Sequence, residues 1–235
     1  MFSLTDILGE AFGLILTWDR NLSEIVMLSL RVTLTAVVIS CLIGLPLGAV
    51  VGAFRFPGRG LVTVLLNTLM GLPPVVVGLV VYLMLSASGP LGVLQLLYTP
   101  TAMIIAQTIL VTPIVAALTK QVVEDLHDEY AEQFASLGVG AFDRIAALLW
   151  DARYSLLTVA LAGFGRAVAE VGAVLIVGGN INHVTRVMTT TIALETSKGN
   201  LELALALGLL LLSIAVIVNA AVMALRASAV RAAYA

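Results

Sequence analysis

Charged side chains are scarce in this sequence: only 11% of the 235 residues are Asp, Glu, Lys or Arg, whereas 60% are hydrophobic. A soluble domain carries about 25% charged residues, so the composition excludes a soluble globular protein of this length. The net charge of −2 leaves no basic excess to attract a nucleic acid, and no nucleic-acid partner is expected. The composition therefore predicts an integral membrane protein.

Side chains that carry chemistry are equally scarce. Cys41 is the single cysteine in the sequence, so no disulfide can form within the chain. The two histidines, His127 and His183, lack the spacing of metal ligands. No Ser-His-Asp arrangement, carboxylate pair in a cleft or cysteine cluster is recognisable. We therefore predict that the chain has no catalytic residues, no metal site and no cofactor of its own.

Long apolar runs dominate the sequence instead. Five of them have about 20 residues or more, the length that a helix needs to cross a bilayer. Residues 2–18 are short and acidic for a span, so the N-terminal segment 1–23 is predicted to contain an interfacial helix. The alternative is a sixth span at residues 2–18, which would reverse only the side of the N-terminus. The predicted fold class is all-α, with one transmembrane domain over residues 1–235. The five spans are predicted at about residues 25–53, 61–86, 101–119, 156–179 and 203–225.

The second predicted span is interrupted by the run Gly71-Leu72-Pro73-Pro74. Two adjacent prolines remove two backbone donors in the middle of the helix, which predicts a kink or a break. A break at membrane depth is tolerated only where protein or a water-filled path covers it. Pro73 and Pro74 are therefore the candidate helix-breaking residues.

One substantial segment is suited to water, because ten of the 26 charged residues lie between Lys120 and Arg153. Its first half predicts an amphipathic helix with an apolar docking stripe. Gly138 and Gly140 then allow a turn, and a second short helix follows. Loop 120–155 is thus predicted to be helical. The apolar stripe is Val123, Leu126, Tyr130, Phe134 and Leu137, and the apolar side of the second helix is Phe142, Ile145 and Leu149.

The distribution of arginine and lysine predicts the orientation. Seven of these residues fall on the side of loop 120–155 and three fall on the opposite side. Since positive charge accumulates on the cytoplasmic side, loop 120–155 and the C-terminus are predicted to be cytoplasmic, in a multi-pass protein of the inner or plasma membrane. The seven are Arg55, Arg59, Lys120, Arg144, Arg153, Arg226 and Arg231, and the three are Arg20, Arg186 and Lys198.

Arg166 and Glu170 are the opposite charges deepest in a predicted span, where one unpaired charge costs roughly 2.5 to 3.5 kcal/mol. At positions i and i+4 they would share a helix face. Either they form a structural pair that fixes the helix against its neighbours, or Arg166 lines an anion path. The structural interpretation is favoured, because Glu170 would repel an anion as strongly as Arg166 attracts it. Thr189 and Thr190 are further candidates for a translocation path.

Two sets of residues carry a resemblance to a known family. The run from Glu132 to Gly138, EQFASLG, resembles the "EAA" loop of ABC-importer permeases, in which a Glu six residues before a Gly marks the helix that couples to the ATPase. The runs 162–173, 177–181, 188–199, 72–78 and 89–92 resemble segments of oxyanion-importer permeases, and they are most similar to the tungstate type. The resemblance covers most of the chain from the second span onward.

The resemblance implies an all-α permease that pairs with a second copy, binds two cytoplasmic ATPase subunits and receives an oxyanion from an extracytoplasmic binding protein. ATP and Mg²⁺ would bind in the ATPase. Tungstate is the expected oxyanion, with molybdate or another oxyanion as the alternative. The residues implied to dock the ATPase are Tyr130, Glu132, Phe134, Leu137 and Gly138.

Two other classes compete with this interpretation. A secondary transporter or channel would need an intramembrane ionisable site or an inverted repeat, and the sequence offers only the pair Arg166 and Glu170. A membrane enzyme would need acid, base or metal ligands clustered at one interface, and loop 120–155 offers carboxylates without such partners.

Overall fold

The computed structural model describes residues 4–17 and 20–233, and the regular elements among them are all helical. This confirms the all-α fold class. The helices are α1 Leu4–Thr17, α2 Arg20–Ala53, α3 Arg59–Met70, α4 Pro74–Leu85, α5 Pro100–Leu137, α6 Ala141–Asp151, α7 Arg153–Val168, α8 Gly172–Gly178, α9 Met188–Lys198 and α10 Leu201–Ala233. One short 3₁₀ turn, Gly92–Leu94, lies between α4 and α5.

Three of these helices are long and apolar enough to cross a membrane: α2, α5 and the part of α10 that ends at Arg226. They correspond to the first, third and fifth predicted spans. The pairs α3–α4 and α6–α7 raise the number to five if each bent pair counts as one span. Within the N-terminal segment 1–23, α1 forms the predicted helix, and residues 1–3, 18 and 19 lie outside the described part of the chain.

The predicted break at the two prolines is confirmed. α3 ends at Met70 and α4 begins at Pro74, with Pro73 in an extended conformation as the residue before the helix. Proline is tolerated at the first helical position because its missing N–H would have no intrahelical partner there. The N–H of Gly71 donates to the carbonyl of Thr68 over 3.1 Å, which closes the preceding helix.

The prediction of one continuous span over 156–179 is wrong. α7 ends at Val168 and α8 begins at Gly172, so Arg166 and Glu170 do not lie one turn apart on a single helix. The Glu170 carboxylate accepts a hydrogen bond from the N–H of Ala173 over 3.1 Å. This bond satisfies one of the N–H groups in the first turn of α8 that have no intrahelical partner.

Two boundaries also differ from the prediction. The third span and the first helix of loop 120–155 are one uninterrupted helix, α5, of 38 residues. The charged and polar segment 180–202, which connects the fourth and fifth predicted spans, contains α9, and this helix ends where Gly199 adopts a φ of +81°. Hydrogen bonding to Lys198, opposed by burial, lowers the pKa of the Glu195 carboxyl in the last turn of α9.

The chain divides into two compact units, each assembled from three segments. The first unit comprises the residues up to Thr35, Pro73–Gln107 and Ala167–Ala220, and the second comprises Ala36–Leu72, Thr108–Arg166 and the residues from Ala221 onward. Each unit has its own buried apolar cluster. In the first unit this cluster is Leu22, Ile25, Val26, Met188 and Leu207, and in the second it is Ala49, Ala53, Val123 and Leu148.

Small residues bring α2 and α5 into close contact in the second unit. A β-carbon added to Gly48 would lie 2.7 Å from Cβ of Thr119 and 2.9 Å from the backbone nitrogen of Lys120. Gly44 and Gly52, one turn away on either side, face the same helix. Glycine at every fourth position is the arrangement by which membrane helices approach backbone to backbone. Here it holds α5 against α2 where loop 120–155 begins.

Candidate functional site

Loop 120–155 forms a helical hairpin whose turn lies at the predicted glycines. α5 ends at Leu137, and Gly138 adopts a φ of +61°. The N–H of Val139 then donates to the carbonyl of Phe134 over 3.2 Å. This is the hydrogen bond that closes a helix end with a left-handed residue. α6 follows with Asp143 in its first turn. A carboxylate at this position is stabilised by the positive end of the helix dipole.

The predicted docking stripe packs mainly against the chain itself. Leu126, Tyr130 and Phe134 surround a buried cluster that contains Val123 of α5 and Leu148 of α6. The Tyr130 hydroxyl donates to Oδ2 of Asp151 over 2.8 Å, and the Arg144 guanidinium lies 5.6 Å from the centre of the Phe134 ring. The stripe therefore holds the hairpin closed.

Three large apolar side chains of the loop remain uncovered within the chain. Leu137 is 75% exposed, Phe142 88% and Trp150 72%. Ile145 and Leu149 pack into the hairpin as predicted, but Phe142 does not join them. Exposed apolar groups of this size on a charged segment are candidates for an interaction site. We call Leu137, Phe142 and Trp150 the exposed loop surface.

An ion cluster ties the turn between α2 and α3 to the base of the hairpin. Nη2 of Arg59 lies 2.6 Å from Oε1 of Glu124, and Nζ of Lys120 pairs with the other oxygen of the same carboxylate. Nε of Arg59 also donates to the carbonyl of Val51 over 2.8 Å. One arginine thus joins the end of α2 to α5. Sequence analysis missed this contact because Arg59 and Glu124 are 65 positions apart.

The interruption between α7 and α8 is stabilised by polar side chains of the first unit. Nε2 of Gln107 donates to the carbonyl of Ala167 over 3.1 Å, and the Thr189 hydroxyl donates to the carbonyl of Glu170 over 2.9 Å. Gln107 and Glu170 are each only 4% exposed. Because an unsatisfied backbone group is costly at membrane depth, these side chains make the interruption possible.

The remaining candidates for the translocation path occupy different surroundings. Thr190 is 1% exposed, and its hydroxyl donates to Oδ1 of Asn180 over 2.9 Å while it accepts from the N–H of Val187. Its polar atoms are thus used locally. Arg166 lies in the last turn of α7. The roles predicted for Arg166, Glu170, Thr189 and Thr190 in translocation, and for Tyr130, Glu132, Phe134, Leu137 and Gly138 in ATPase docking, stay predictions.

Together, apolar helices that cross a membrane and a charged helical hairpin define a multi-pass membrane transport subunit. Among residues 4–17 and 20–233, no group of three or more His, Cys, Asp or Glu residues is placed to hold a metal ion. Residues 44–230 match the family described as binding-protein-dependent transport system inner membrane component. The chain belongs to this family. It is the permease subunit of an ABC importer and not its ATPase.

Three relatives place the chain more closely. A probable anion ABC transporter permease of Haloferax volcanii is 43% identical over 210 residues, which cover 86% of this chain and 90% of the relative. A tungstate uptake system permease of Peptoclostridium acidaminophilum is 42% identical over 216 residues, or 92% and 95% of the two chains. One from Campylobacter jejuni is 37% identical over 166 residues, or 71% and 70%.

Proposed function

We propose that the chain forms the membrane path of an ATP-driven importer that carries tungstate inward by alternating access. The observation that carries this proposal is the similarity to two tungstate uptake permeases, one of them over nearly the full length of both chains. In the proposed importer, two copies of the permease bind two ATPase subunits and one extracytoplasmic binding protein. ATP and Mg²⁺ bind in the ATPase subunits.

The hairpin of α5 and α6 is the proposed contact with the ATPase. It presents the exposed loop surface of Leu137, Phe142 and Trp150, and its acidic outer face includes the exposed Glu132. Loop 120–155 and the C-terminus are on the cytoplasmic side in this proposal, in agreement with the excess of arginine and lysine there. Apolar side chains at the centre of a contact and charges at its rim are typical of protein interfaces.

α5 supplies a mechanical connection between the hairpin and the membrane. Its 38 residues form one helix with Pro113 in its interior, about 57 Å long at 1.5 Å per residue. The part from Pro113 to Leu137 can transmit a displacement as a unit, whereas the helix can bend at the proline, which donates no helical hydrogen bond. Its close contact with α2 at Gly48 and the ion cluster at Arg59 limit bending near the base of the hairpin. When the ATPase subunits close on ATP, a displacement of the hairpin is therefore transmitted along α5 toward the membrane.

Molybdate is the second candidate substrate. It has the same tetrahedral shape and the same charge as tungstate, and it would need the same fold and the same partners. Among residues 4–17 and 20–233 we find no side-chain arrangement that separates the two anions, so the distinction rests on the named relatives.

Co-purification followed by reconstitution tests the proposal. The tagged permease is purified from its native membrane, and we expect an ATPase to accompany it at one ATPase per permease. Reconstituted with the binding protein, the complex should take up tungstate only when ATP is present. Tungstate uptake that persists without ATPase, driven by an ion gradient, would show a secondary transporter and overturn the proposal.

A further inference from the structure

An open cleft of about 540 Å³ lies in the first unit, between the N-terminal part of α2 and the segment that leads into α9. Asn21, Glu24 and Arg31 line it on the α2 side, and His183 and Arg186 line it on the other. Nδ1 of His183 lies 2.7 Å from Oε2 of Glu24, which joins the two walls. At roughly 30 Å³ per water molecule, the cleft has room for an anion together with much of its hydration shell.

Positive charge exceeds negative charge around this cleft. Arg31 and Arg186 line it, and the single carboxylate among the lining residues, Glu24, already pairs with Arg20 over 3.3 Å and contacts His183. Nε of Arg186 is buried and has no hydrogen-bond partner among the described residues, and the charge of Arg186 also acts on the Glu195 carboxylate, which does not line the cleft. Arg31 and Arg186 thus place guanidinium groups at the cleft, and guanidinium groups match the geometry of oxyanions.

The position of Arg31 locates the cleft relative to the membrane. No charged residue occurs in positions 32–54 of the sequence. A helix of that length, about 34 Å at 1.5 Å per residue, matches a hydrocarbon core of about 30 Å. Arg31 therefore lies at one edge of the hydrocarbon, and the cleft extends from there along the water-facing start of α2. In the proposed orientation this is the extracytoplasmic edge.

We propose that this cleft binds a tetrahedral oxyanion at the outer mouth of the permease, through Arg31 and Arg186. The inference rests on the proposed function for the side of the membrane and for the identity of the transported anion. The site is expected to be weak and unselective, because the anion remains hydrated and a tightly held ion would leave slowly. It would retain an anion released by the binding protein close to the entrance.

Binding is measured with inorganic tungstate and inorganic sulfate on the full-length permease in nanodiscs of phosphatidylcholine. We expect both anions to bind in the millimolar range. The double variant Arg31→Gln, Arg186→Gln should weaken binding at least tenfold. Arg226→Gln is the control, since it removes a cation of the second unit that does not line the cleft. Unchanged binding in the double variant, or an equal loss in the control, overturns the proposal.

The phosphate group of an anionic lipid could bind the same two arginines as a free oxyanion. A second preparation distinguishes these two ligands. In nanodiscs that contain phosphatidylglycerol, tungstate binding should persist with at most a modest loss. If the anionic lipid abolishes it, the cleft is a headgroup site and the role at the entrance is overturned. In the reconstituted importer, the double variant should lower tungstate uptake while the permease still retains its ATPase. If the wild-type permease itself fails to retain an ATPase subunit, that result would instead count against the proposed function.

Discussion

Several buried or half-buried polar side chains in this permease form hydrogen bonds with backbone groups. Gln107 and Thr189 donate to carbonyls on the two sides of the interruption after α7, and Glu170 accepts from the N–H that begins α8. Sequence analysis identified Glu170 as a charge deep in a predicted span and Thr189 as a candidate for a translocation path. It did not identify their partners, since a backbone carbonyl leaves no mark in the sequence.

Substitution of Glu170 separates a hydrogen-bonding role from a charge role. Glu170→Gln removes the charge but keeps an oxygen that can accept from the N–H of Ala173, so we expect it to destabilise the protein less than Glu170→Ala. Glu170→Ala leaves that buried N–H without an acceptor and should cost about 1 to 3 kcal/mol. Thermal unfolding in detergent measures both. Equal destabilisation by the two variants would show that the negative charge itself is required.

Among the helices, sequence periodicity identified which face of each element is apolar but not what covers it. The stripe from Val123 to Phe134 was predicted to dock a partner, and it packs on α6 of the same chain. The break at Pro73 and Pro74 was predictable because proline cannot donate the helical hydrogen bond. The interruption at residues 169–171 contains no proline, so only its tertiary hydrogen bonds reveal it.

The contact between α2 and α5 leads to a prediction about Gly48. The sequence spacing of Gly44, Gly48 and Gly52 is that of small-residue packing in membranes, a signal that could have located this contact before the structure. A methyl group at Gly48 would collide with the backbone of α5 near Ala116. Gly48→Ala should therefore destabilise the protein by about 1 to 3 kcal/mol, measured as a lower unfolding temperature in detergent.

Gly208→Ala is the matched control for Gly48→Ala. A β-carbon at Gly208 of α10 meets no atom within 4 Å, and alanine favours a helix over glycine by up to about 1 kcal/mol. Gly208→Ala should leave stability unchanged or raise it slightly. If Gly48→Ala leaves the unfolding temperature as high as this control does, α2 and α5 do not require backbone contact. The proposed mechanical connection through α5 would then lose its support.

At the scale of the whole importer, two phenylalanines of the hairpin should have different effects. Phe134→Ala removes a ring that contacts Tyr130 and Arg144, so the unfolding temperature should fall. Phe142→Ala removes an 88% exposed ring, so stability should not change. If the exposed loop surface contacts the ATPase, Phe142→Ala should weaken ATPase association at least tenfold, which corresponds to about 1.4 kcal/mol.

Pull-down of the ATPase at several concentrations measures that association, and Val93→Ala is a control. Val93 is 92% exposed and lies between α4 and α5, far in sequence from the hairpin. Its substitution should affect neither stability nor association. Retention of the ATPase by Phe142→Ala at wild-type affinity would mean that the partner binds elsewhere on the chain.

Selectivity among tetrahedral dianions is a property that we assign to the binding protein. Discrimination between tungstate and molybdate requires fixed donors around a desolvated anion, whereas the cationic cleft at Arg31 and Arg186 is open and roomy, and a site on a permeation path must release its ion readily. ATP hydrolysis by the reconstituted importer should therefore be stimulated equally by binding protein saturated with tungstate or with molybdate. The rate without binding protein gives the baseline. Strong stimulation by one saturated form and weak stimulation by the other would locate a selective site within the membrane helices of the permease.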